Sequence, residues 1–233
     1  MLFRGWKDTL DEAYRTLDGK YRLFLEEDNG YIPHRENYLN AFKTLPKGHV
    51  KYILFGQDPY PREESASGYA FIDANVKSIF SNRGLSKEVN RATSLRNFIK
   101  MVLLARGDLC ANDLSQEAIA TIDKRELVDS IDALRVNFEK QGVLLLNTAL
   151  VFTDKKSSTK HAKAWQPFMK SLLASLEAQQ PKLILFGAYA KALERHLSLE
   201  KFETIALEHP YNHTFVTNPD ALSLFGPMKL LDK

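Results

Sequence analysis

Four short apolar runs punctuate the chain: 50–55, 143–146, 182–186 and 202–207. Each has the length of a strand. Each runs out into polar or glycine residues: Gly56-Gln57-Asp58, Asn147-Thr148, Gly187 and Glu208-His209-Pro210. Continuous apolar runs ended by such residues predict buried strands. Between them the apolar spacing changes to that of helices. Leu95, Phe98, Ile99, Val102 and Leu103 share one helix face. Leu127, Ile131, Leu134 and Phe138 make a second, and Phe168, Leu172, Leu173 and Leu176 a third that ends before Pro181. Strands alternating with helices predict an α/β fold, a parallel sheet with helices on both faces. The carboxyl ends of such strands lie along one edge, where these sheets take their ligands. Asp58, Asn147 and His209 are therefore expected to converge on one cleft.

The first strand end carries the densest signal, Gly56-Gln57-Asp58-Pro59-Tyr60-Pro61. Proline after Asp58 steers the aspartate away from helical geometry, so its carboxylate is held out on a stiff turn. Glycine, aspartate and proline are turn residues in their own right. The amide of Gln57 and the ring of Tyr60 are what a simple strand-ending turn does not require.

Composition narrows the chemistry. With 233 residues the chain has ample length for a core, and it shows no repeats or clear linkers. The net charge of +3 permits a polyanionic partner without demanding one. Cys110 is the only cysteine, which rules out an internal disulfide and four-cysteine metal sites and fits a reducing compartment. The N-terminus lacks the long apolar stretch of a signal peptide, and no apolar segment is long enough to span a membrane. A cytoplasmic protein with no membrane association is the expectation.

A carboxylate, a histidine, an amide and aromatics, without a metal-ligand cluster, suit cleavage of an N-glycosidic bond. A fixed carboxylate stabilises the sugar cation or orients water, and a hydrogen-bond donor stabilises the departing base. The Asn147 amide offers a donor and an acceptor side by side, matching the edge of a pyrimidine. Phe71 has the shape to stack on a base. Plainer readings compete: Asn147 as a turn cap, Phe71 as core, His209 as a loop histidine. His209 and His213 have the i, i+4 spacing of some metal sites, but Pro210 argues for a loop and no HExxH pattern is present. Segments 65–67 and 155–163 read as polar loops of a kind that also touches phosphates.

These motifs resemble, in order, those of the major family of uracil-DNA glycosylases over roughly residues 30 to 230. Gly56-Gln57-Asp58-Pro59-Tyr60 is similar to the family's water-activating loop and 142–148 to its uracil-reading strand. Gly68-Tyr69-Ala70-Phe71 resembles the segment of the stacking phenylalanine, and Ser94-Leu95-Arg96-Asn97 the end of the proline-rich loop. Residues 185–190 resemble the glycine-serine loop, and His209-Pro210 the start of the DNA-intercalation loop. Tyr31-Ile32-Pro33 and Asn40-Ala41-Phe42 fit the family's approach to the first strand. The resemblance implies Asp58 and His209 as catalytic residues, with Asn147 reading uracil, Phe71 stacking, Tyr60 excluding thymine and Gln57 contacting base or water. It implies DNA contacts at Ser94, Ala188, Tyr211 and His213. It further implies a three-layer sandwich around a four-stranded, mainly parallel sheet, no cofactor and no metal. The implied partner is uracil-containing DNA, single- or double-stranded, met by a monomer, with an inhibitor protein as a further candidate.

Departures accompany the likeness. Pro61 stands where the family has histidine, Arg91-Ala92-Thr93-Ser94 lacks the loop prolines, and Ala188 replaces a serine. His213 stands at the position of the leucine wedge, with Tyr211 and Phe215 as the alternatives for that role. One domain over 1–233 is expected, with a helical insertion at about 112–141. Two rivals remain: the same chemistry with another base or a single-strand preference, and a DNA-binding module of the same fold. A metal-dependent hydrolase would need a ligand cluster that the sequence does not display.

Overall fold

The computed structural model describes residues 5–28, 30–187, 193, 196, 197 and 199–233. They fall into two units. The first comprises Met1–Asp73 and Gly142–Ala206, the second Ala74–Gln141 and Leu207–Lys233.

The first unit is built on the predicted strands: β1 (Tyr52–Gly56), β4 (Val143–Asn147), β5 (Lys182–Phe186) and β6 (Thr204–Leu207), in the order β4-β1-β5-β6. β1 runs parallel to both neighbours, with Gly56 opposite Asn147 and Phe55 opposite Leu146 and Leu185. Ile53 and Phe55, Leu144 and Leu146, and Leu183 and Leu185 form one face and join a core with Trp6, Phe42, Trp165 and Phe168. Leu54, Leu145 and Ile184, which alternate with them, are equally buried. Burial of both faces is why these strands read as unbroken apolar runs. The helices are α1 (Lys7–Arg15), α2 (Gly19–Glu27), α3 (Ala41–Thr44) and α8 (Ser158–Ala174). Segment 155–163 is thus not a polar loop throughout: from Ser158 onward it is the opening of α8, the third predicted helix. That helix stops at Ala174, and Leu176 packs into the core from beyond its end.

The second unit holds the hairpin β2 (Phe80–Ser81) and β3 (Gly84–Leu85), then α4 (Lys87–Arg91), α5 (Thr93–Arg106), α6 (Gln116–Thr121), α7 (Ile131–Lys140) and α9 (Pro219–Phe225). The apolar face of α5 is buried, and Gly107, in the left-handed region, caps its end. Phe98 gathers the rings of Phe138, Phe215 and Phe225. Leu127 does not continue the α7 face: α7 starts after a Ser130 cap, and Leu127 bridges to Asp232 instead. Among the described residues no helix is long and apolar enough to cross a membrane.

Candidate active site

The ends of β1 and β4 meet without room to spare. A β-carbon on Gly56 would lie 2.2 Å from Asn147 Oδ1 and 3.0 Å from the Ala70 β-carbon. Glycine at 56 is what lets the buried Asn147 amide lie across the strand end. Beyond the strands the two segments stay joined. Thr148 N–H donates to Gly56 O, and Ala149 N–H and the Thr148 hydroxyl donate to Gln57 O. Gln57 is exposed and Asp58 half-buried just past this zip. Alongside Gln57 and Thr148 lies a cavity of about 220 Å³ whose α8 wall includes Thr159, Lys163 and Gln166.

Phe71 lies across from these ends in a conformation that its side chain does not favour, with φ of +68°. Its turn is held from both sides. A β-carbon on Gly68 would sit 2.0 Å from Asn37 O. The Ser67 hydroxyl donates to Ile72 O, and Ala70 N–H donates to Leu145 O on the free edge of β4. A bulky residue held in such a region makes Phe71 a candidate functional position. The Phe71 ring is 6.4 Å from that of Phe186, and Tyr60 Oη reaches Phe71 O at 3.4 Å. Burial, and then the nearby Asp73 carboxylate, push the Tyr60 phenol well above its ordinary pKa, so it stays a neutral, bulky ring.

Asp58 has a partner that sequence reasoning missed. The Ser158 hydroxyl, in the first turn of α8, donates to Asp58 Oδ2. The start of that helix is fixed in turn. Asp154 accepts from the backbone N–H of Lys156 and Ser157 and from the Ser157 hydroxyl. His161, buried, bonds Tyr21 Oη at 2.7 Å through Nδ1 and Thr153 Oγ1 at 3.0 Å through Nε2.

In the second unit the chain from Glu208 to Asn218 carries His209, Tyr211 and His213. Tyr211 N–H donates to His209 Nδ1 at 3.0 Å. Nδ1 is thereby an acceptor, and in the neutral ring the proton sits on Nε2. The surrounding protein desolvates the ring and lowers its pKa, which favours that neutral form. The buried Asn97 amide donates to Pro210 O at 2.8 Å, Asn212 O at 3.2 Å and Tyr211 O at 3.3 Å. Glu208 accepts from Thr214 and Asn218, and the Thr214 hydroxyl leads in holding its carboxyl below the ordinary range. The loop so clamped presents Tyr211 at 67% exposure. His213, also exposed, opens a short 3-10 helix, His213–Thr217. Phe215 is fully buried and stacked near Phe98, so it offers nothing at the loop surface. Ser94 is half-buried in the first turn of α5, and Ala188 lies outside the described residues.

Gln57, Asp58, Tyr60, Phe71 and Asn147 thus belong to one unit and Ser94, His209, Tyr211 and His213 to the other. Ser158, Asn97 and Glu208 are additions from the structure. No group of three or more His, Cys, Asp or Glu among the described residues is arranged to hold a metal ion.

Known proteins resemble this chain along most of its length. The family profile described as the uracil DNA glycosylase superfamily matches residues 42–222. A uracil-DNA glycosylase of Fusobacterium nucleatum is 27% identical over 216 residues, covering 88% of this chain and 80% of its own. One from Campylobacter jejuni subsp. doylei is 27% identical over 218 residues, with coverages of 88% and 78%. The crystal structure of the UNG of Nitratifractor salsuginis superposes with a TM-score of 0.97 at 56% identity, over 100% of this chain and 93% of that one.

Proposed function

This chain belongs to the uracil DNA glycosylase superfamily, and we propose that Asp58 and His209 are the groups with which it releases uracil from DNA. The reaction is hydrolysis of one N-glycosidic bond. The bond between the sugar C1′ and uracil N1 breaks, its electron pair leaves with the base, and water adds at C1′. The products are free uracil and an abasic site. Asp58, carried past β1 on a turn stiffened by Pro59, stabilises the cationic sugar and receives the proton of the attacking water. His209 acts as a neutral donor: its Nε2–H bonds the uracil oxygen on which negative charge accumulates. The observation that carries this reading is the Tyr211 N–H bond to His209 Nδ1, which assigns that tautomer. Asn147 pairs with the uracil edge, Phe71 stacks on the ring, Gln57 contacts base or water, and Tyr60 fills the space that a thymine methyl would need.

The DNA is held on its backbone and probed by the 208–218 loop. Ser94, Ala188 and Lys163 are proposed to lie along the phosphates. The exposed ring of Tyr211, ahead of His213, stacks into the gap left by the flipped nucleotide. The proposed setting is the cytoplasm, to which the single cysteine lends support.

His209→Ala tests the pair. Loss of one preorganised donor costs on the order of 10²–10³ in rate. The single-turnover rate of uracil release should fall by that order, with DNA affinity little changed. A defect confined to affinity would remove His209 from the chemistry.

A further inference from the structure

Asp58 has two carboxylate oxygens, and the reaction needs only one of them facing the sugar and its water. The other accepts from the Ser158 hydroxyl, 100 residues away in sequence. We propose that Ser158 is a positioning residue: it holds Oδ2 so that Oδ1 is presented to the reacting centre. This rests on the reading of Asp58 given above and deepens it.

The surroundings fit a device for fixing orientation. The backbone on one side of Asp58 is stiffened by Pro59, and on the other Gly56 and Gln57 are tied to Thr148 and Ala149. That leaves the side-chain torsions as the remaining freedom. A charge-assisted hydroxyl bond removes it. The bond is only as rigid as the residue that donates it. Ser158 lies in the first turn of the 17-residue α8, whose start is held by Asp154 and by the doubly bonded, buried His161. Preorganisation of this kind acts on the chemical step, because the orientation is set before substrate arrives.

The neighbouring sequence gives Ser158 particular weight in this chain. The residue after Tyr60 is Pro61, which has no polar side chain and no N–H to offer the carboxylate or its water. Among the described residues, Ser158 is the side chain that donates to Asp58.

The test is a double-mutant cycle on uracil release from a single-stranded oligonucleotide, read as kcat and KM separately. Hydrogen bonds to charged groups correspond to roughly 10- to 100-fold. Ser158→Ala should lower kcat by that factor with KM and thermal midpoint nearly unchanged. Ser158→Thr, which keeps the hydroxyl, should recover most of the rate. In the Asp58→Asn background Ser158→Ala should have almost no further effect, since the two act as one unit. Wild-type kcat in Ser158→Ala would overturn the proposal, as would equal losses in Ser158→Thr and Ser158→Ala. A full, additive loss in the Asp58→Asn background would also overturn it. Near-normal turnover by Asp58→Asn alone would instead sink the underlying assignment of Asp58.

Discussion

At the scale of single residues, the proposed base choice rests on two kinds of physics. Asn147 presents a buried amide whose donor and acceptor must both be answered, and a mismatched polar edge in such a place is strongly rejected. Its placement depends on Gly56, where any side chain would collide with the amide oxygen. Tyr60 works by volume, as a ring kept neutral by burial and by Asp73. Exchange of either should therefore open the site to a different base. Tyr60→Ala should release thymine from DNA, and Asn147→Asp should release cytosine, both at rates measurable over wild type by release of free base. If neither variant gains activity on its base, these two residues are not the walls of the pocket.

Elements turn such residues into a site, and the 208–218 loop is the clearest case. Three successive carbonyls hang on one Asn97 amide, and the residue in the middle of the three, Tyr211, projects its ring outward while its N–H holds His209. The proposed probe and the proposed catalyst are thus coupled through one backbone unit. Stacking of a base on an aromatic ring contributes ~1–3 kcal/mol, or roughly 5- to 150-fold. Tyr211→Ala should lower uracil release from duplex DNA by a factor in that range while sparing single strands, whose bases need no unpairing, and Tyr211→Trp should retain activity. Asn97→Ala should lower both, because it frees the loop that orients His209. Equal duplex and single-strand losses for Tyr211→Ala would argue against a stacking probe and return the role to His213.

The elements also mark what the sequence could and could not disclose. β1, β4 and β5 were legible because two-sided burial leaves unbroken apolar runs, whereas β6 is only partly buried. The start of α8 was not legible, since Ser158, Thr159 and Lys160 are polar and the apolar period begins only at Trp165. Leu127 fitted a helical spacing, yet it is spent on a bridge to Asp232 near the far end of the chain. The motif around Asp58 marks a candidate site within one stretch of sequence. Ser158 and Asn97 could not be found in that way. Their partners lie 100 and 113–115 residues off, and neither has any local pattern that a contact of this kind would require.

For the molecule as a whole, stability should depend on pH through its buried histidine. His161 is held neutral: burial lowers its pKa first, with Lys160 adding to this and Asp154 and Asp58 opposing it. A folded-state pKa below the ordinary value of 6.5 means that the unfolded chain binds the extra proton more readily. Stability is then full above about pH 6.5 and is lost as pH falls below it. The lowered pKa of His209 acts in the same direction. The thermal midpoint should be flat from pH 8 to 7 and decline toward pH 5.5, and His161→Gln should flatten part of that decline. A midpoint that rises on acidification across this range would contradict the buried neutral state.

Asp58 carries the central step of the proposed reaction. The most direct measurement is single-turnover release of uracil by Asp58→Asn beside wild type, on one oligonucleotide, with thermal melting to establish that both proteins are folded. The substitution keeps the shape and removes the charge that the sugar cation needs. The account predicts an intact fold and a rate lower by at least ~10². A folded Asp58→Asn protein that releases uracil at a near wild-type rate would contradict it.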